Sequence, residues 1–80
     1  MIIYMAFIEI KTDIKTYYVE CLALSIGEDK ISVFFNEFHR MGEMTFKNKS
    51  KDLKKPFLYN ENLGENLLYI KKDNDYLYKF

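Results

Sequence analysis

His39, Arg40 and Cys21 carry the most reactive chemistry in this sequence: an imidazole able to give or take a proton, a guanidinium suited to phosphate, and a thiol that attacks once ionised. His39 or Arg40, with Lys, Glu and Tyr side chains, would suit a small toxin-type ribonuclease, and Cys21 with His39 a nucleophilic pair. Their spacing argues against both. His39 is the sole histidine and falls on the polar side of the segment that holds it. Cys21 sits in an apolar run that reads as a buried strand, and a strand thiol there would have to meet the outer face of another element to pair with the imidazole. The sequence has no nucleophile elbow, phosphate-binding glycine loop, paired-histidine helix or dinucleotide fingerprint. A lone cysteine and a lone histidine also supply no metal cage. The expectation is a protein that is not an enzyme, with no cofactor and no metal.

Binding chemistry is better represented. Residues 47–56 hold five lysines and one aspartate, a net charge of +4, against −3 for residues 1–46 and −1 for residues 57–80. Lys47, Lys49, Lys51, Lys54 and Lys55 therefore form a candidate docking segment for phosphates or an acidic protein surface, with Lys51, Lys54 and Lys55 able to share one face of a short helical turn. A solvated connection is the competing reading. The C-terminus interleaves aromatics with lysines. Tyr69, Tyr76 and Tyr78, beside Lys71, Lys72 and Lys79, are the candidate partner-binding rings, because sheets that hold single-stranded nucleic acid present rings for stacking and lysines for phosphates. Simple alternation would place Tyr76, Tyr78 and Phe80 on one face. Cross-strand packing over a core is the ordinary use of such rings. Glu9, Asp13, Glu20, Glu28, Asp29, Glu37 and Glu43 form an acidic N-terminal set that would imitate phosphates if it converged, although the spacing shows no convergence.

Over the whole chain, twelve basic and twelve acidic side chains cancel, which disfavours both a sequence-blind nucleic-acid binder and an acidic DNA mimic. Eighty residues make a single small domain, residues 1–80, with little room for an enclosed active site. The seven Tyr and seven Phe are expected to supply much of its core. The longest apolar run, residues 1–8, falls well short of the ~20 residues of a membrane span and lacks a charged leader. A cytoplasmic location with no membrane contact is expected. Residues with AT-rich codons (Lys, Asn, Ile, Tyr, Phe) number 39, against 7 for Gly, Ala, Arg and Pro, which points to a low-GC bacterium or its phages.

The elements that would position these residues follow from periodicity. Residues 2–10 and 16–24 read as a hairpin joined by a polar turn, and residues 67–71 and 76–80 as the strands of a C-terminal meander. Between them, Ile31, Phe34, Phe35, Phe38 and Met41 fall at helical spacing. Ser25–Glu28 has the form of a capping box, Asp29 is an alternative cap, and Gly42 sits where a helix terminator belongs. The preferred reading is an α+β fold: an N-terminal β-hairpin and a C-terminal β-meander packed on one amphipathic helix over about residues 29–41. The alternative, with residues 31–38 as a third strand, is a small all-β barrel or roll. The function expected of either is non-enzymatic binding of a larger host protein or ribonucleoprotein, as when a phage inhibitor of the anti-CRISPR type blocks a nuclease or CRISPR effector. A single-stranded nucleic-acid module, a toxin-type ribonuclease or an antitoxin is the alternative, and a homodimer is a side expectation.

Overall fold

The structure is a computed structural model that describes residues 6–50 and 56–80. Among these residues there are seven strands and no helix: β1 (Ala6–Thr12), β2 (Thr16–Ile26), β3 (Lys30–Glu37), β4 (Arg40–Asn48), β5 (Leu58–Asn60), β6 (Glu65–Lys72) and β7 (Asp75–Lys79). Every neighbouring pair is antiparallel, and β1 also pairs with β6, so that β1 to β6 close into a barrel with β7 added. The all-β alternative is therefore the correct fold, and the α+β reading with a helix over residues 29–41 is overturned.

The reason lies in the side chains of β3. Ile31 and Val33 are fully buried, while Asn36 lies between its neighbours Glu20 and Met41 across the strands. Val33, which disrupted the helical pattern, fits a period of two. Branching at Cβ and aromatic bulk both favour the pleated backbone over the helix. Ser25 and Ile26 end β2, and the Gly27 N–H closes the turn by donating to the Lys30 carbonyl at 3.0 Å. Gly42 terminates nothing. It lies opposite Phe35 in the β3–β4 ladder, and a Cβ there would come within 2.5 Å of the Phe35 ring. The glycine makes room for that ring, which packs against the core from the turn end of the hairpin.

The core is mostly aliphatic: Ile8, Ile10, Val19, Leu24, Ile31, Val33, Leu67 and Ile70 surround Phe46, the one aromatic among the buried hydrophobics of the described residues. Each such burial is worth ~1.5–3 kcal/mol. The expectation that Tyr and Phe would supply much of the core is thus corrected. Tyr17, Phe35 and Tyr78 pack against it from its margins, whereas Phe7, Tyr18, Phe38, Phe57, Tyr76 and Phe80 are exposed.

One barrel end is closed by polar groups. Glu65, only 6% exposed, accepts a 2.6 Å hydrogen bond from the Tyr17 phenol, and its other oxygen lies 2.5 Å from the Thr12 hydroxyl. Burial, the hydrogen bond to Glu65 and that carboxylate's charge push the Tyr17 phenol up to about 12. Thr12 also caps its own turn by accepting from the Ile14 and Lys15 N–H groups.

β5 and β7 share one edge of β6. Residues 69–71 of β6 pair with β1 on one side and with β7 on the other, while Asn66 pairs with Tyr59 of β5. The two short strands thus follow one another along the same edge.

Candidate interaction surfaces

The β3–β4 turn is the first surface. Phe38 and His39 occupy its two central positions, both left-handed, with φ of 51° and 62°. A two-residue hairpin loop of this kind favours Asn-Gly. Histidine tolerates the conformation better than most residues, but a phenylalanine there is an outlier, at a cost of ~1–3 kcal/mol. The ring gains no burial in return: Phe38 is 87% exposed, beside Met41 at 74%. Phe38 shares a groove of about 280 Å³ with Phe7 and Tyr18, each 69% exposed. Glu20 and Glu37 line the same groove, with Asn36 and His39.

The outer face of β1, β6 and β7 is the second surface, and it adjoins the first at Glu9. Ladder register places Tyr18, Glu9, Lys71 and Tyr76 side by side on four strands. Glu9 accepts hydrogen bonds from Tyr69 and, at 2.8 Å, from Tyr18. Those two phenols, with help from Lys71 and Lys11, hold the Glu9 carboxyl below the usual carboxylate range. The same bonds raise both phenols, Tyr69 to about 12. Tyr69 meets Tyr76 edge to face at 5.3 Å. The Lys71 and Lys79 ammonium groups lie 5.3 and 5.1 Å from the centre of the Tyr76 ring.

Of the three tyrosines singled out from the sequence, Tyr69 and Tyr76 come together here and Tyr78 does not. A bulge between Ile70 and Lys71 sets two β7 steps against one on β6, so Tyr76 pairs with Lys71 and Tyr78 with Ile70. Alternation is broken, and Tyr78 turns onto the core, where burial raises its phenol. The expectation of one face for Tyr76 and Tyr78 is corrected by that extra residue.

The lysine segment divides. Lys51, Lys54 and Lys55 lie outside the described residues. Lys49 is ion-paired with Glu61. Lys47 stands between Lys30 on β3 and Tyr59 on β5 and lines a groove of about 420 Å³ with both of them, together with Thr45, Asn60 and the carboxylates Glu43 and Glu61. Two like charges directly opposed across strands oppose folding. Among the described residues, neither Lys30 nor Lys47 has a carboxylate within ion-pair distance. The Tyr59 ring stacks on Phe57, with centroids 5.5 Å apart and planes 13° apart.

No family model, curated protein or solved structure matches this chain.

The reactive residues are kept apart. Cys21 is fully buried between β1 and β3, and burial raises its thiol. His39 is exposed in the turn. No group of three His, Cys, Asp or Glu side chains among the described residues is placed to hold a metal, and no helix among them is long and apolar enough to cross a membrane. The acidic set does not converge as a whole. Glu28 and Asp29 belong to the β2–β3 turn, Asp13 accepts from the Asn66 N–H, and Glu43 accepts from Thr45. Glu9, Glu20 and Glu37 alone border the apolar tip.

Sequence reasoning missed Phe7, Tyr18, Phe38, Met41 and Lys30 as surface candidates. For Phe7 a signal existed, since it alternates with Ile8 and Ile10. For Phe38 there was none, because nothing in Phe-His marks a hairpin turn.

Proposed function

We propose that this is a non-enzymatic binding protein that inserts the β3–β4 tip into an apolar cleft of a larger protein. The supporting observation is Phe38, held almost fully exposed on a left-handed backbone and flanked by Met41, Phe7 and Tyr18. A strained turn that presents a large ring to water does nothing for the barrel, while exposed aromatics with a rim that excludes water are what protein interfaces use as anchors. Glu9, Glu20 and Glu37 make the rim mainly acidic despite Arg40, which favours a partner with basic surroundings. A cytoplasmic nucleic-acid-cleaving enzyme, such as a nuclease or CRISPR effector blocked by a phage inhibitor, has that chemistry.

The test is retention and inhibition of such an enzyme from low-GC bacterial cells, with wild type compared against Phe38→Ser and Met41→Ser. Wild type should retain a nuclease and silence it stoichiometrically. Each tip variant, folded by its melting curve, should lose both effects by tenfold or more, as expected for an anchor worth ~2 kcal/mol. Equal retention by the variants contradicts the reading. So does growth arrest on expression that depends on His39 or Arg40, which would return the toxin-type ribonuclease. Light scattering decides between partners: a concentration-dependent dimer abolished by Phe38→Ser would assign the tip to a second copy instead.

A further inference from the structure

The second surface has a chemistry of its own, independent of the tip. Because β5 and β7 follow one another along one edge of β6, their outward rings lie on one continuous face. The Tyr59–Phe57 stack stands opposite Asn66 at one end, and Tyr76 stands opposite Lys71 at the other. Five residue steps along β6 separate these positions, about 17 Å at ~3.3 Å per residue.

Lysines border both ends: Lys30 and Lys47 beside Tyr59, and Lys71 and Lys79 over Tyr76. Three carboxylates border this face: Glu9 is held by two phenols, Glu61 by Lys49, and Glu43, at the rim of the Lys30–Lys47 groove, by the Thr45 hydroxyl. We infer that the outer face of β5, β6 and β7 is a track for a short single strand of nucleic acid, with bases on Phe57–Tyr59 and Tyr76 and phosphates on the four lysines.

The geometry gives each group a task. A ring lying edge to face with Tyr69 is fixed in orientation and can serve as a stacking platform. A base that takes the place of a lysine over Tyr76 preserves a contact to the ring's face and leaves that ammonium for the adjoining phosphate. Lys30 and Lys47 oppose each other at some cost to folding, and a phosphate between them would turn that repulsion into attraction. A duplex cannot use the face, because its bases are already stacked on one another.

Fluorescence anisotropy with a labelled oligothymidylate and a duplex of equal length, over a salt series, tests this directly. The wild type should bind the single strand in preference, with affinity falling as salt rises. Tyr76→Ala and Phe57→Ala should each weaken binding about 5- to 150-fold, the equivalent of ~1–3 kcal/mol per stacked base. Tyr76→Phe should retain it, which separates stacking from loss of fold. The pair Lys71→Gln and Lys79→Gln should reduce the salt slope by about 1.4, at ~0.7 per phosphate on a single strand. Phe38→Ser should bind as wild type does, so failure of the tip reading leaves this result unaffected. Absence of binding at low salt, equal affinity for duplex, or affinity indifferent to Tyr76→Ala and Phe57→Ala would overturn the inference.

Discussion

The hairpin tip and the β6–β7 face both display aromatic rings to water, but only one of them is wired in place. On the face, Tyr69 and Tyr18 donate to one carboxylate, Tyr69 meets Tyr76 edge to face, and two ammonium groups lie over Tyr76. At the tip, Phe38 and Met41 have no polar anchor at all, and the backbone beneath Phe38 is left-handed. Rings held by polar partners keep one orientation and suit a flat, charged ligand. Rings left bare gain only when another apolar surface covers them. The contrast implies a dry contact at one site and a wet, salt-sensitive one at the other, with Glu9 at the boundary.

The comparison can be broken hardest beneath the tip. Gly42→Val puts a branched side chain where even a Cβ would lie 2.5 Å from the Phe35 ring. Displacing that ring should cost about 3 kcal/mol, read as a fall in Tm of about 12 °C or more. On the β6–β7 face Tyr76 is 49% exposed, and Tyr76→Ala should cost about 1 kcal/mol, the scale of its edge-to-face contact. Equal losses for the two variants would remove the distinction between the tightly packed base of the tip hairpin and the solvent-facing ring of Tyr76.

Ionisation sharpens the same contrast. Tyr17 and Tyr69, both raised to about 12 in the folded chain, have folded values above their ordinary 10.0. Their bonds therefore contribute stability fully below pH 10, and the contribution is lost as pH rises through 12. Spectrophotometric titration should show Tyr17 and Tyr69 near 12, with Tyr18 and Tyr78 also above their ordinary 10.0. Glu9→Gln should return Tyr69 toward 10.0 and leave Tyr17 late, since Tyr17 is raised by burial and by Glu65. At the acid end the sign reverses. Glu9 lies below its ordinary 4.5, so its bonds stabilise the fold above that pH and are lost as pH falls through the lower folded value.

The smallest effect concerns the cations. Lys79→Gln removes one ammonium from Tyr76 and should lower stability by only about 0.5 kcal/mol, the scale of an exposed cation–π contact. A larger loss would mean that the lysines serve the fold rather than a ligand.

How much of this was legible in the sequence varies along the chain for a physical reason. The first hairpin was readable because Ile8, Ile10, Val19 and Cys21 alternate with outward residues, and the turn at residues 62–64 because Gly64, at φ 71°, takes a left-handed position. Residues 29–41 misled because Phe38 and Met41 completed an apolar stripe at helical spacing. In a barrel those two side chains face solvent, so apolar residues kept for a partner were counted as core. A surface that departs from the polar-outside pattern distorts the periodicity by which strands are recognised. The bulge that separates Tyr76 from Tyr78 left no mark either, since no glycine accompanies it. The pairing of Lys30 with Lys47 required the register of β3, which the helix reading had removed.

The central claim is that the tip's strain serves binding and not the barrel. The most direct measurement is partner retention by the double variant Phe38→Asn, His39→Gly, which gives the turn its preferred residues. It should melt about 5 °C or more above wild type as the strain is relieved, yet retain none of the partner that wild type holds. Retention at the wild-type level by this more stable variant would contradict the account.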